Sequence, residues 1–151
     1  MNDRKAAFKT YAQAIPGAFA IQKTDKAPAE IVDDEFPFWL STGRVFAHYH
    51  TGTMTRNCPT LNSEISEGFL EINPLDADHI GICQGDEIKI ASRRGQITAK
   101  TMVTERVKQG SLFMPFHFIE SNVNLLTNPA HDPIAKIPEF KVCAVKLEKA
   151  G

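Results

Sequence analysis

Phe140 to Leu147 reads Phe-Lys-Val-Cys-Ala-Val-Lys-Leu, a run that is apolar on both alternations. A strand with one solvated face alternates apolar and polar residues, so apolar side chains on both faces point to a strand within a closed barrel. Further strand candidates lie upstream. Phe36 to Ser41 (FPFWLS) is short, apolar and stopped by Thr42-Gly43, and Phe69 to Asn73 (FLEIN) is a second such run. Over Glu87 to Ser92, Ile88 and Ile90 alternate with charged residues, and Arg93-Arg94-Gly95-Gln96 can reverse the chain into Ile97 to Val103. This is a hairpin whose two arginines read as a solvated tip. Gly110 precedes SLFMPF, where Pro115 marks a strand end or an edge. Six or so short strands with one or two short helices make a small, mainly β barrel the expected architecture.

One helix is legible from its ends. Asn73 suits an N-cap, Pro74 the first helical position, Asp76 and Asp78 the positive end of the helix, and Gly81 the stop. Residues 1–35 differ in character. They are rich in Ala, Lys and Asp, carry Pro16 and Pro28, and end in Asp33-Asp34-Glu35. They read as an arm or linker with one short helix near Arg4 to Ala14, and residues 36–149 as the folded domain.

Composition narrows the function. The 151 residues suit one domain with a core of its own, and 17 Lys+Arg against 18 Asp+Glu leave a net charge of −1. No positive field is available to recruit nucleic acid. The longest apolar run, Ala14 to Ile21, is broken by Pro16 and Gly17 and falls short of the roughly 20 residues that span a bilayer, so no membrane insertion is expected. Cys58, Cys83 and Cys143 are odd in number and contain no C-x-x-C pair, which fits neither a disulfide framework nor an iron–sulfur ligand set. The N-terminus lacks the apolar core of a secretory signal. A reducing, cytoplasmic setting is the expectation.

Two segments carry candidate chemistry. Thr42-Gly43-Arg44-Val45-Phe46-Ala47-His48-Tyr49-His50-Thr51-Gly52 follows directly on a strand. Its glycines permit close backbone approach, and Arg44, the histidines and the threonine hydroxyls can donate hydrogen bonds to a phosphate or pyrophosphate. The same residues also serve as ordinary turn glycines and polar caps. His48 and His50 lack a zinc-like spacing to Cys58 or His117, so no metal site is assigned. The second segment, Met114 to Phe140, is long for a connection inside a compact domain. Its Asn122, Asn124, Thr127 and Asn128 can read the edge of a heterocycle or merely close turns. No P-loop, G-x-G-x-x-G or nucleophile with a partner is present, so the chain reads as a binding domain.

Three stretches together resemble a known family: FPFWLSTGRVFAHYHTGTMTR from Phe36, EINPLDADHIGICQGDEIKIASRRGQI from Glu71, and SLFMPFHFIESNVNLLTNPAHDPIAKIPEFKVCAVKLEK from Ser111. The chain is similar, over nearly all of Pro28 to Lys149, to the C-terminal cofactor-binding domain of molybdenum and tungsten enzymes of the dimethyl-sulfoxide-reductase superfamily. The formate dehydrogenase catalytic subunit is the nearest type.

The resemblance implies a six-stranded double-psi β-barrel that binds bis-molybdopterin guanine dinucleotide carrying molybdenum or tungsten. It maps dinucleotide contacts onto Thr42 through Thr51, including Gly43, Arg44, Val45, His48 and His50, with Gly52 following. Later contacts map onto Asn124 and Lys141, with Phe116 and His117 approaching the pterin. In that family the metal's cysteine or selenocysteine ligand, the catalytic histidine and arginine, and the iron–sulfur cysteines lie in preceding domains. Formate oxidation to CO2 is therefore expected only with a larger catalytic subunit that carries iron–sulfur clusters and the metal ligand. A nitrate reductase or formylmethanofuran dehydrogenase cofactor domain, or a non-catalytic barrel for protein interaction, is the alternative.

Overall fold

Alternating burial along β4 (Gln96–Val103) shows how the barrel wall is made: Ile97, Ala99 and Thr101 are buried, while Gln96, Thr98 and Lys100 are exposed. A computed structural model describes residues 27–150, so the helix expected near Arg4 to Ala14 lies outside the described residues. The other strands are β1 (Phe38–Gly43), β2 (Phe69–Ile72), β3 (Glu87–Ala91), β5 (Ser111–Pro115) and β6 (Cys143–Lys149). They close in the order β1-β5-β2-β4-β3-β6. β1 runs parallel to β5 and β2 parallel to β4, and the remaining neighbours are antiparallel. Exchanging β1 with β4, β2 with β5 and β3 with β6 reproduces the same pairings. The described residues therefore form a six-stranded double-psi β-barrel of two interlocked halves, as the family resemblance implied.

Leu40, Leu70, Ile72, Ile88, Ile90, Leu112, Met114 and Val145 fill the interior, each at most 1% exposed. Burying one such side chain contributes about 1.5–3 kcal/mol. Ala77 and Ile82 cap the core from one side, and Val123 and Leu126 from the connection between β5 and β6. Among the described residues there are two short α-helices. α1 (Pro59–Glu64) buries no residue, whereas α2 (Pro74–Ile80) follows the sequence signals. Its Asn73 side chain accepts the Leu75 N–H at 3.0 Å, and Gly81 leaves the helix at φ 69°.

Two expectations are corrected. β6 begins at Cys143 rather than Phe140, because the Phe140 carbonyl accepts from the Thr42 hydroxyl and Lys141 Nζ donates to the Thr42 carbonyl, instead of these two residues joining the ladder. Arg93 and Arg94 are exposed at the hairpin tip as expected, but they are ion-paired rather than merely solvated. Both bind Glu30, whose side chain is 8% exposed, and Arg93 also binds Asp33. Arg94 further donates to the Leu126 carbonyl at 2.8 Å and to Cys143 Sγ at 3.1 Å. The segment before β1 is thereby fastened across the β3–β4 hairpin.

Candidate functional site

Because β1 and β5 are parallel neighbours, with Gly43 opposite Pro115, their C-terminal ends lie at one end of the barrel. β6 is antiparallel to β1, with Cys143 opposite Leu40, so its first residues enter at that same end. Both long connections, 44–68 and 116–142, leave from here. This topology brings together segments far apart in sequence. A cavity of about 740 Å³ lies at their meeting point, lined by Thr42, Arg44, His50, Thr51, Phe116, Asn124, Phe140 and Lys141. Seven of these eight residues are among those expected from the sequence. Phe140 is the exception, and it is 43% exposed.

The polar groups fall into two sets. Arg44 is exposed, and among the described residues it makes no ion pair. The Asn124 side chain likewise has no hydrogen bond among the described residues, although its carbonyl accepts from the Thr127 hydroxyl at 2.9 Å. Thr51 is exposed, and its hydroxyl meets that of Thr53 at 3.0 Å. These donors remain available to an anion or a heterocycle edge.

The second set is committed to the protein. Thr42 is 2% exposed, and its hydroxyl donates to the Phe140 carbonyl at 2.8 Å. Lys141 Nζ donates to the Thr42 carbonyl. His117 is buried between the two connections. Its Nδ1–H donates to the His50 carbonyl, and its Nε2 accepts the Val45 N–H at 3.0 Å. Those roles define the neutral Nδ1–H tautomer. Burial pushes its pKa below the usual histidine value, and the nearby His48, Arg44 and His50 add to that direction against the His50 carbonyl bond.

His48 is buried as well. Its Nε2–H donates to the Ile65 carbonyl at 2.6 Å, leaving Nδ1 to accept from the Thr55 hydroxyl at 3.0 Å. Both rings thus brace the loop backbone. His50 itself has a φ of 51°, a left-handed conformation that turns its carbonyl to His117 and leaves its side chain on the cavity.

Glycine is required at two places. A Cβ on Gly43 would come within 2.2 Å of the Phe113 ring, so Gly43 accommodates a packed side chain. Gly52 has a φ of 75° and is hemmed in by Arg56 and the His117 carbonyl. The asparagine-rich segment divides in the same manner. Asn122 accepts the Asn124 N–H, and Asn128 donates to the Val142 carbonyl at 2.8 Å while accepting the Ala130 N–H at 2.9 Å. Those two close turns, and Asn124 faces the cavity.

Sequence reasoning missed the Arg56–Glu120 contact, which joins the two connections beside the cavity. A second space of about 770 Å³ lies on the outer face of β2, β4 and β5 and includes Phe69, Met102 and Phe113. Of the expected residues it shares only Arg44 and Val45, so the candidate site is the cavity at the β1–β5 end.

The chain is 59% identical over 121 residues to the F420-dependent formate dehydrogenase subunit alpha of Methanocaldococcus jannaschii, a match covering 80% of this chain and 18% of that protein. It is 52% identical over 131 residues to F420-dependent formate dehydrogenase 1 subunit alpha of Methanococcus maripaludis, covering 87% and 19%. The chain thus spans about a fifth of the length of these relatives. Among solved structures, acetylene hydratase from Pelobacter acetylenicus shares the fold at a TM-score of 0.68 and 15% identity, over 77% of this chain and 19% of that one. Residues 38–144 match the molydopterin dinucleotide binding domain, a range that contains every residue lining the cavity. With the barrel, the converging segments and this match in agreement, the chain belongs to the molydopterin dinucleotide binding domain family.

Proposed function

We propose that this chain binds bis-molybdopterin guanine dinucleotide, carrying molybdenum or tungsten, as the cofactor-holding part of a formate dehydrogenase. The observation that carries the reading is that the Arg44 guanidinium and the Asn124 amide, neither of them paired among the described residues, line one cavity of about 740 Å³. Arg44 offers a charge-assisted contact to a pyrophosphate, Thr51 a hydroxyl, and Asn124 a donor and an acceptor to the purine edge. Lys141 adds positive charge while fixing Thr42. His117, His48 and Val45 hold the loop backbone in place, and Phe116 supplies an apolar wall.

When bound, the metal end of the cofactor supplies the two-electron chemistry that converts formate to CO2. This chain contributes binding and orientation. A larger polypeptide, carrying the metal's protein ligand and iron–sulfur clusters, completes the enzyme. The relatives' much greater length supports such a partner. Free thiols at Cys58, Cys83 and Cys143 fit a reducing cytoplasm, and among the described residues no helix is long and apolar enough to cross a membrane.

Titrating the isotopically labelled chain with GDP, which represents the nucleotide end of the cofactor, tests this reading. Amide shifts are expected across Thr42 to Thr51 and at Asn124 and Lys141. Shifts confined to other surfaces, or none, overturn it.

A further inference from the structure

Thr51 and Gly52 lie on the first long connection and Asn124 on the second, so the shape of the cavity depends on what sets the distance between the two. Arg56, in a 3-10 turn at Thr55–Asn57, grips Glu120 with both ends of its guanidinium. NH1 donates to Oε2 at 2.9 Å and NH2 to Oε1 at 2.6 Å. This is the planar two-pronged geometry that lysine cannot reproduce. The Arg56 guanidinium also lies 5.2 Å from the Phe118 ring centroid, on the same second connection.

Arg56 holds Gly52 at its other end. Its backbone N–H donates to the Gly52 carbonyl at 2.8 Å. Its stem occupies the space a side chain on residue 52 would take, since an ideal Cβ there would stand 3.1 Å from Arg56 Cγ and Cδ. A smaller cavity of about 390 Å³ runs alongside and shares Thr51, Phe116 and Asn124 with the main one.

We propose that Arg56 and Glu120 are positioning residues: their ion pair latches the two connections together and so places Thr51 and Gly52 for the phosphates of a guanine dinucleotide. The inference rests on the cofactor reading above. One N–H of each guanidinium NH2 is taken by Glu120 and Nε is buried, so the face of the guanidinium turned to Glu120 is closed to a ligand. A simple charge effect and a latch predict opposite outcomes at Glu120. Removing that carboxylate beside an anion site would strengthen phosphate binding by charge alone, but would weaken it if the carboxylate fixes the spacing.

GDP affinity, measured by calorimetry on the 151-residue chain, distinguishes these accounts. Arg56→Ala and Glu120→Gln should each weaken GDP binding about two- to fivefold, the range of a partly exposed ion pair. Glu120→Gln does so despite removing a negative charge. The reversed pair, Arg56→Glu with Glu120→Arg, should recover most of the loss, with little change in the thermal midpoint throughout. Unchanged or tighter GDP binding in Glu120→Gln overturns the latch and leaves the cofactor reading standing. No GDP binding by the unaltered chain overturns both.

Discussion

Val45 donates its backbone N–H to Nε2 of His117 at 3.0 Å, joining residues 72 positions apart in the sequence. With the Nδ1–H directed at the His50 carbonyl, one imidazole fastens the connection after β1 at two points. Only the neutral ring can do both.

That requirement gives a pH dependence. Burial holds the folded-state pKa of His117 below its ordinary value of 6.5, so between the folded and unfolded pKa values the unfolded chain binds more protons. The contribution is complete above about pH 6.5 and is lost as the pH falls through the folded value. Histidine NMR titration should show one ring resisting protonation, with thermal stability declining over that window. His117→Phe leaves the Val45 N–H without its acceptor and should cost about 1–3 kcal/mol. A ring titrating at or above the ordinary value would contradict this assignment.

Arg44 is expected to behave differently. It is exposed and unpaired among the described residues, so Arg44→Ala should leave the melting temperature nearly unchanged. GDP affinity should fall by roughly 1.5–3 kcal/mol, with Arg44→Lys recovering only part of it. Undiminished affinity in Arg44→Ala removes the phosphate contact from consideration.

Asn124 and Lys141 should separate. The Asn124 side chain faces the cavity without a hydrogen bond to the described protein, so Asn124→Ala should reduce nucleotide binding while stability stays within about 0.5 kcal/mol. Lys141 Nζ satisfies the Thr42 carbonyl, so Lys141→Ala should lower both affinity and stability, the latter by about 1 kcal/mol. Denaturant unfolding alongside calorimetry resolves the two effects. Equal stability losses would place Asn124 among the structural caps.

Glu30 gives the chain an acid-sensitive fastening. Burial raises its pKa, but the hydrogen bonds from Arg94 and Arg93 outweigh burial and hold the carboxyl below its ordinary 4.5. The stabilisation is therefore present above about pH 4.5 and is lost as the pH falls through the lower folded value. Arg94→Ala should cost about 1–3 kcal/mol, because Glu30 and the Leu126 carbonyl both lose a donor. A loss below about 0.5 kcal/mol would show that Arg93 alone suffices.

Local signals made much of the fold readable. The helix Pro74–Ile80 was legible because Asn73, Pro74 and Gly81 act on their immediate neighbours, and the β3–β4 hairpin because Ile88, Ile90 and Ile97 alternate across a short turn. The helix Pro59–Glu64 was not legible, since it buries no side chain and so carries no periodicity. Arg94 was misread for another reason. Its partner Glu30 lies 64 residues away, and charge in sequence says nothing about distant pairing.

The candidate site shows the same division. Gly43, Arg44 and Gly52 stand out as a polar, glycine-bearing run after a strand, Asn124 is one of four polar candidates in the second segment, and family resemblance picks it from them and adds Lys141. What stayed hidden was the role of His117 and the Arg56–Glu120 contact, because hydrogen-bond partners from opposite connections are set by barrel closure. Thr127, Asn122 and Asn128 look alike in sequence to Asn124 but close local turns, Asn128 also reaching the Val142 carbonyl.

The parallel pairing of β1 with β5 also governs when the site can exist. Neither strand supplies a cavity alone, and an intermediate lacking that pairing would leave the two connections that carry Arg44 and Asn124 unjoined at the barrel end. Occupancy and closure are thus thermodynamically linked: a ligand at a hundred times its Kd would add about 2.7 kcal/mol to the closed state. Such a ligand would stabilise the closed barrel and slow its opening, but would not shorten the non-local search that forms it, because the site does not exist until that search is over.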